Sequence, residues 1–311
     1  MKYDSYSGIK DLVVFSPRQG KNLDRTAVYI CRLLSKFDIS YAIQKFSLEY
    51  PKTEYAKLYA DGKEISCKSS TRQSGIVPNK DNVLSSLTKT TKQFTNINFN
   101  PYSKAISLAT CSIKPSLTIS SVDVPKILSA RDVSGRVKIK RMKQTCENIL
   151  VGNVVNPRAL VFSHYDSIET GAIDNASGTA VSLDLIINHS EILSQCLFVL
   201  SGNEELSYDE PIYWGHGYRM FEKKYSHLLR KSTKNIIVDC VGHTTTQMYT
   251  DSYWVEEAFP VTSLHNILSK TVLLAGDIYK LMEVYHSNLD TLKNIKKNFL
   301  QDATQKTLAL L

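Results

Sequence analysis

Three short apolar runs in the second half of the chain are each followed by residues that can bind a metal ion. The runs span 160–163, 196–200 and 236–238, and the residues that follow them are His164 and Asp166, Glu204 and Glu205, and Asp239. Runs of Val, Ile, Leu and Phe of this length are typical of strands buried in a sheet that is covered on both faces. Ligands of such sheets bind just beyond the carboxyl ends of the strands. The pattern therefore predicts that these polar side chains meet at one edge of a sheet.

Two further segments add one carboxylate and one imidazole. Asp174 lies in the Gly-Ala-Ile-Asp-Asn-Ala-Ser-Gly segment at 171–178, and His286 lies in the Tyr-His-Ser-Asn-Leu-Asp-Thr segment at 285–291. Together the segments supply two imidazoles and, among their carboxylates, three candidate metal ligands. Imidazole and carboxylate donors without a thiolate suit a pair of divalent metal ions, of which zinc is the commonest and cobalt or manganese are alternatives.

Each of these motifs also has a plainer interpretation. A histidine and an aspartate at a strand end often form a surface pair, adjacent glutamates often lie in a solvated loop, and Asp174 is suited to cap the helix predicted after it. The motifs, however, occur in order along the chain, and all of them fall at strand ends or in adjoining loops. This ordered recurrence favours a metal site over a set of unrelated residues.

The motifs resemble those of metallopeptidase family twenty-eight, the co-catalytic dizinc aminopeptidases that include the bacterial leucyl aminopeptidases and aminopeptidase Y. All five positions of the family's metal ligands are present in order, and they are His164, Asp174, Glu205, Asp239 and His286. The resemblance implies that Asp174 bridges two ions. It also implies that His164 and Asp239 bind one ion and that Glu205 and His286 bind the other.

The resemblance further implies how such a site works. Its cofactors would be two divalent ions, expected to be zinc, and a hydroxide that bridges them would hydrolyse the N-terminal peptide bond of peptide substrates. Glu204 matches the general base that takes the proton of the attacking water, and proton transfer of this kind is typically worth ~10²–10⁴-fold in rate. Asp166 matches the carboxylate that orients His164 by accepting its other ring N–H.

Two other functions are compatible with the same motifs. Glutaminyl cyclases use a related fold with one zinc ion, and transferrin-receptor-type ectodomains are catalytically silent relatives that serve as binding scaffolds. One metal ion per chain and activity on N-terminal glutamine would favour the cyclase. The presence of all five ligands together with Glu204 argues against the scaffold.

The segment at 206–218 departs from the family pattern, in which a glycine-rich turn leads into a helix. Pro211 and Gly215 predict a loop here. Its aromatic residues either wall a specificity pocket or pack the loop onto the protein, and they are Tyr213, Trp214 and Tyr218. His216 is predicted to be a loop residue rather than a further ligand.

Length and composition fit one enzyme-sized domain with an appendage. The chain has 311 residues, of which 42% are hydrophobic, so it can bury a large core. No run approaches the roughly 18 apolar residues of a membrane helix, and the N-terminus lacks the layout of a secretory signal. The six cysteines show no CxxC spacing. They are expected to be inert thiols of a cytoplasmic protein, with Cys196 and Cys240 in buried strands.

Charge is distributed unevenly along the chain. Residues 1–150 contain 25 Lys and Arg against 12 Asp and Glu, whereas 151–311 contain 13 against 18. A basic excess is one mark of nucleic-acid-binding proteins. Here the basic residues are dispersed through a Ser/Thr-rich segment without a nucleic-acid motif, and the densest run, 136–141, alternates with apolar residues as a half-exposed strand does. We therefore expect peptide partners, and neither nucleic acid nor a membrane.

Alternating strand and helix signals predict an α/β three-layer sandwich around a mixed, mostly parallel sheet, which is the zinc exopeptidase fold that the resemblance implies. Helices are predicted at 22–37, 122–128, 176–189, 220–230 and 299–311. Strands are predicted at 39–48, 106–109, 117–120, 136–142 and 147–155, beside a hairpin at 59–65 and a polar loop at 79–98. Residues 1–50 and 135–311 are predicted to form the catalytic domain, and 51–134 a β-rich insert that resembles a protease-associated domain.

Overall fold

The structure is a computed structural model that describes residues 2–77, 79–88 and 93–311. The α-helices are α1 (Ser5–Val13), α2 (Lys21–Lys36), α3 (Val124–Ser129), α4 (Gly178–Asn188), α5 (His216–Lys231), α6 (Ser252–Ala258), α7 (Leu264–Ile267), α8 (Ile278–Leu281) and α9 (Lys297–Ala309). The strands are β1 (Tyr41–Ala60), β2 (Lys63–Glu64), β3 (Cys67–Ser69), β4 (Gly75–Val77), β5 (Val83–Ser85), β6 (Asn96–Phe99), β7 (Ser116–Ile119), β8 (Val133–Gly152), β9 (Ala159–His164), β10 (Cys196–Ser201), β11 (Lys234–Val238), β12 (Gln247–Tyr249) and β13 (Thr271–Ala275).

The chain divides into two compact units. The first unit comprises Met1–Leu48, Thr145–Ile278 and Asp290–Leu311, and the second comprises Glu49–Gln144 and Tyr279–Leu289. The predicted insert, 51–134, falls within the second unit, and its resemblance to a protease-associated domain stays a prediction. His286 also belongs to the second unit, whereas the other predicted site residues belong to the first.

The first unit contains a mixed sheet in the order β12-β13-β11-β9-β10-β8-β1. Strands β9, β10, β11 and β13 run parallel, while β8 and β12 pair antiparallel with β10 and β13. Every residue of β9, β10 and β13 is buried. Their continuous apolar sequences follow from this burial, because a strand covered on both faces has no solvent side for polar residues.

Helices cover both faces of this sheet. On one face α1, α4 and α9 pack together, and Ser163 of β9 points to α4, where its hydroxyl lies 3.1 Å from that of Ser182. Phe162 points to the opposite face, because successive residues of a strand alternate in direction. There it contacts Tyr218, Phe221 and Phe259 in a core that α5, α6 and α7 complete. The predicted sandwich with a mostly parallel sheet is confirmed.

The second unit contains a small sheet in the order β3-β7-β6-β5. Strands β5, β6 and β7 are parallel, and β3 is antiparallel to β7. The parts of β1 and β8 that belong to this unit pair with β2 and β4. Leu58, Leu117 and Val137 belong to one apolar core that joins these strands.

Most of the predicted helices are confirmed within a few residues, as is the hairpin between β1 and β2. Four strand predictions differ from the structure. The two strands predicted at 136–142 and 147–155 form the single strand β8, and the strand predicted at 39–48 continues through Pro51 to Ala60. In the described part of the chain β2 pairs with β1 only at Tyr59 and Ala60, so Pro51 lies at an edge of the sheet, where proline is tolerated. No strand is assigned at 106–109.

The predicted polar loop at 79–98 contains β5 and the start of β6, so that prediction is also wrong, and its part at 89–92 lies outside the described residues. Strands of three or four residues bury too few side chains to produce a clear alternating pattern. Among the described helices, none is both long and apolar enough to cross a membrane.

Candidate metal site

The carboxyl ends of β9, β10 and β11 lie together at one edge of the sheet in the first unit. Strand β10 flanks β9 on one side and β11 flanks it on the other. Because the chain runs from β9 to β10 and then returns to the opposite side of β9, the strand order reverses here, and such a reversal leaves a crevice at the strand ends. The polar residues that follow the three apolar runs border this crevice.

The imidazole of His164 is surrounded by three carboxylates. Its Nδ1 lies 3.2 Å from Asp166 Oδ1, and its Nε2 lies 3.3 Å from Asp174 Oδ1 and 3.5 Å from Asp239 Oδ1. Burial by itself lowers the pKa of His164, but Asp239 and the hydrogen bonds to all three carboxylates raise this pKa well above its ordinary value. The space between Asp174 and Asp239 therefore favours a positive charge.

Asp166 links His164 to the paired glutamates. Its carboxylate accepts hydrogen bonds from the backbone N–H of Glu204, at 3.0 and 3.1 Å to its two oxygens, and from that of Glu205 at 3.0 Å. The predicted contact with His164 is present on the same carboxylate. Because hydrogen bonds to an ionised acceptor are the stronger ones, Asp166 fixes the imidazole after β9 and the loop after β10 relative to each other.

Glu204 and Glu205 are both buried, with 7% and 2% of their surface exposed. Ligand atoms of Glu205, His164 and Asp174 all lie within 4.8 Å of one another. Burial raises the pKa of Glu204 well above its ordinary value, and Glu205 and neighbouring aspartates add to the rise while His164 opposes it. A carboxyl group that holds its proton more tightly than usual is suited to general acid–base catalysis near neutral pH.

Asp174 lies in the segment Ala172–Ser177 that precedes α4, where the backbone departs from helical geometry at Asp174 (φ −109°, ψ 95°) and the peptide bond to Asn175 is cis. Asn175 ties this segment to the neighbouring strand end. Its side-chain amide donates to the Val238 carbonyl at 3.0 Å, and its side-chain oxygen accepts the Gly178 N–H at 2.8 Å. The residue after Asp174 is thus hydrogen-bonded to the end of β11. The bridging role of Asp174 stays a prediction.

Asp290 holds the same segment from the other side. Its two carboxylate oxygens accept the backbone N–H groups of Ile173, at 2.8 Å, and of Asp174, at 3.1 Å. Burial raises the pKa of Asp290 to about 7, although these two N–H donors and Arg18 act to lower it. Asp290 belongs to the motif that carries His286, but no sequence pattern indicated that it binds the backbone of Ile173 and Asp174.

Asp239 directly follows β11, and its N–H donates to the Leu274 carbonyl of β13 at 3.0 Å. The next residue, Cys240, has a left-handed backbone with φ 52°. Its thiol lies within 4.8 Å of carboxylate oxygens of Asp174 and Asp239. The prediction that Cys240 lies in a buried strand is wrong, because β11 ends at Val238, and the buried thiol instead borders the site.

His286 is the predicted ligand that lies in the second unit. Its Nδ1 is 3.1 Å from the Leu108 carbonyl, and the Leu108 N–H donates to the His286 carbonyl at 3.0 Å. Because a carbonyl only accepts, Nδ1 carries the proton and the ring's lone pair is on Nε2. Ligating histidines commonly donate their second N–H to a carbonyl in this way. The assignment of His286 as a fifth ligand stays a prediction.

The loop after Glu205 is held by a cluster of charged side chains. Asp209 accepts hydrogen bonds from His216 Nδ1 at 2.8 Å and from Arg219 Nε at 2.9 Å. Arg219 also donates to the carbonyls of residues 212, 214 and 260. His216 is the first residue of α5, so its prediction as a loop residue is wrong. The two glycines at 215 and 217 indicated that the loop continues to 218. Instead, the left-handed backbone of Gly215 turns the chain directly into α5.

Among the aromatic residues at 206–218, Tyr218 lies in α5 and packs in the core instead of lining a pocket. Tyr218 is fully buried in ring contact with Phe162 and Phe259. Trp214 donates its indole N–H to the Glu257 carbonyl at 2.9 Å, and its ring centroid lies 4.9 Å from that of Tyr213. A contribution to specificity can therefore come from Tyr213 and Trp214 but not from Tyr218.

Comparison with known proteins places this geometry in context. No protein-family profile and no curated protein matches the chain, but solved structures do. A zinc aminopeptidase from Bacillus subtilis matches over 98% of this chain and 93% of its own, with a TM-score of 0.68 and 19% identity. The chain has the zinc aminopeptidase fold. A precursor of a family twenty-eight peptidase from Shewanella amazonensis matches over 98% and 92%, with a TM-score of 0.62 and 15% identity.

A glutaminyl cyclase from Tannerella forsythia matches over 99% of this chain and 96% of its own, with a TM-score of 0.55 and 14% identity. The resemblance to metallopeptidase family twenty-eight, inferred from the motifs, is confirmed by these structures. The fold of this chain is therefore one that aminopeptidases and glutaminyl cyclases share.

Two features of the site had no signal in the sequence analysis. One is the second task of Asp166, which holds the backbone of the paired glutamates. The other is Arg18, a buried arginine next to the segment that joins His164 to Asp174. Both depend on contacts between segments far apart in the chain, and no local pattern of residues reports such contacts.

Proposed function

We propose that this protein is a dizinc metallo-aminopeptidase that hydrolyses the N-terminal bond of peptides. The observation that carries the proposal is the cluster in the first unit. There His164, Asp174, Glu205 and Asp239, the residues that match metal ligands, surround one buried space at the strand ends of a zinc aminopeptidase fold. His286 is proposed as the further ligand on the motif resemblance and on the tautomer that its contact with Leu108 requires.

The donor set fits divalent metal ions. One imidazole and three carboxylates lie almost out of contact with water, and like charges at this spacing repel strongly unless a cation balances them. The same carboxylates raise the pKa of His164 well above its ordinary value, which shows that the surroundings of this imidazole favour a positive charge. Nitrogen and oxygen donors in this combination are those of zinc enzymes with an open coordination position, and they also suit cobalt and manganese.

Bound ions would activate water at neutral pH and polarise the scissile carbonyl. The chain's own residues supply the remaining functions. Glu204 accepts the proton of the attacking water and returns it to the leaving amine, a role for which its buried, proton-retaining carboxyl group is suited. Asp166 holds the His164 imidazole and the Glu204 backbone at a fixed distance from each other, because its carboxylate binds both.

We propose that exopeptidase action rests on recognition of the free N-terminal amine, which an ion with an open coordination position would bind together with a nearby carboxylate. A peptide with a free N-terminus brings an amine that buried carboxylates attract, whereas an internal peptide bond brings no such group. We propose peptides as substrates on this ground. We also propose a reducing compartment such as the cytoplasm, because no disulfide joins the cysteines in the described part of the chain.

The second candidate is a glutaminyl cyclase, and the observation that favours it is the structural match to the Tannerella forsythia enzyme. The match has a lower TM-score than that to the Bacillus subtilis aminopeptidase. A panel of aminoacyl chromogenic substrates and N-terminal glutaminyl peptides separates the two. Zinc-dependent release of N-terminal residues supports the aminopeptidase, whereas cyclisation of glutamine without hydrolysis contradicts it.

A further inference from the structure

Arg18 lies in the connection between α1 and α2, and none of its surface is exposed. Its guanidinium group donates hydrogen bonds through all three nitrogens. Nε donates to the Tyr165 carbonyl at 2.7 Å, and Nη1 donates to the Thr170 carbonyl at 3.0 Å and to Ser16 Oγ at 3.0 Å. Nη2 donates to the Gly171 carbonyl at 2.9 Å and to the Asp166 carbonyl at 3.3 Å.

Most of these acceptors lie in one short segment of the chain. The carbonyls at 165, 166, 170 and 171 belong to the segment that leads from His164, at the end of β9, to the turn that carries Asp174. The Arg18 backbone N–H adds a further bond to Ser167 Oγ at 3.1 Å in the same segment. One side chain therefore ties both ends of the connection between two proposed metal ligands.

The charge of Arg18 is unusual for a buried arginine. No carboxylate is among its hydrogen-bond partners in the described residues, although a buried charge without an ion pair is expensive. Four carboxylates lie near enough to favour the charged form, and they are Asp166, Asp290, Glu205 and Asp174. Burial nevertheless lowers the pKa of Arg18 to about 10. The guanidinium thus remains cationic at neutral pH behind an acidic site.

We propose that Arg18 is a positioning residue of the metal site, whose planar fork holds segment 165–171 in the conformation that presents His164 and Asp174 together. The proposal rests on the metal site of the proposed function. Geometry and charge are separable, because lysine keeps the charge but presents three donors at one nitrogen instead of a rigid fork.

The test compares zinc affinity of Arg18→Lys and Arg18→Met with that of the unchanged protein, by competition with a chromophoric chelator. A residue that orients a ligand from behind is commonly worth 10–100-fold in metal affinity, so we expect both variants to bind zinc at least about tenfold more weakly. Arg18→Lys should lose affinity although it keeps the positive charge, because lysine does not provide the two-sided fork that binds the carbonyls at both ends of segment 165–171.

Arg219→Lys is a matched control. Arg219 is also buried and also donates to three carbonyls, but these belong to the loop after Glu205 and to Pro260, not to the segment between His164 and Asp174. It should lower the free energy of unfolding of the metal-free protein while leaving zinc affinity within about twofold, a margin well below the 10–100-fold effect of a ligand-orienting residue. Arg18→Lys, the milder substitution, carries the test where Arg18→Met does not yield folded protein.

Two results would overturn the proposal, and they are distinguishable. Folded Arg18 variants that bind zinc with unchanged affinity would show that Arg18 supports the fold alone, while the proposed function would stand. Unchanged protein that binds no divalent ion would instead remove the proposed function and the role of Arg18 with it.

Discussion

Asp166→Asn tests how far one carboxylate organises the site, since asparagine keeps the shape of the side chain. In the native protein both carboxylate oxygens accept N–H groups, from Glu204 and Glu205 and from the imidazole of His164. Asparagine retains one acceptor oxygen and turns an NH₂ group towards at least one of these donors. The substitution therefore places an N–H donor of the asparagine against an N–H donor of its neighbour, at a position where the native carboxylate oxygen accepts a hydrogen bond.

The magnitude follows from these contacts. A hydrogen bond to a charged group contributes about 1.5–3 kcal/mol, so the loss of one such bond should lower the free energy of unfolding of the metal-free protein by about that amount. Loss of the partner that orients a ligating histidine commonly costs 10–100-fold in metal affinity, which is about 1.4–2.7 kcal/mol of binding free energy. Both effects should appear together in Asp166→Asn.

Zinc competition and urea unfolding of the metal-free protein measure the two effects separately. Asp184→Asn is the matched control, because Asp184 of α4 also accepts side-chain hydrogen bonds in the first unit, from Ser5 and Thr304, but contacts no proposed ligand. It should lower stability without changing zinc affinity. If Asp166→Asn bound zinc as tightly as the unchanged protein, the role assigned to Asp166 would be refuted.

Three further predictions concern the base, the pH dependence and the substrate. Glu204→Gln should retain its metal ions and lose ~10²–10⁴-fold in kcat, whereas Glu205→Gln should lose metal occupancy, and metal analysis beside kinetics would expose an exchange of these roles. Asp290 has a pKa of about 7 in the folded protein against 3.8 as the ordinary value, so the folded state binds its proton more tightly than the unfolded state. The metal-free protein should therefore lose stability as pH rises from about 4 to 7, by up to about 4 kcal/mol from this group. Urea unfolding should show a shallower decline in Asp290→Asn, and an identical decline would contradict the assignment. Peptides with a free N-terminus should be cut about 10²-fold or more faster than their N-acetylated forms, a difference of about 2.7 kcal/mol, and equal rates would exclude aminopeptidase action.

The sequence predicted those parts of the site that lie at the ends of buried strands. His164, Glu204, Glu205 and Asp239 follow apolar runs long enough to identify as strands, and parallel strands bring their carboxyl ends to one edge. Asp174 was recognised through its motif. To predict that these residues converge, it was therefore enough to know that the strands are parallel and that each residue directly follows its strand.

The contacts that hold these residues in place could not be predicted in the same way. Arg18 reaches Tyr165 across 147 positions of sequence, and Asp290 reaches Ile173 across 117. Such contacts depend on how loops cross in space, and a loop has no periodic pattern that reports its path. The short strands β5 and β6 were not predicted for a related reason. They span too few residues for an alternation of buried and exposed side chains to appear.

The position of Cys240 shows a third limit. Its place after an apolar run indicated a strand, but a left-handed backbone directly after Asp239 ends the regular structure and turns the thiol to Asp174. Nothing in the residues at 236–242 distinguishes a strand that continues from one that ends at Val238. Only the pairing of β11 with its neighbours determines that boundary.

The central claim is that two metal ions bind among the residues matched by the motifs. Diffraction from crystals of the zinc-loaded protein, recorded on both sides of the zinc absorption edge, tests it most directly because anomalous scattering locates each ion and counts it. We expect two peaks on either side of the Asp174 carboxylate, one next to His164 and Asp239 and the other next to Glu205 and His286. A single peak, or two peaks of which neither lies beside Asp174, would contradict the claim.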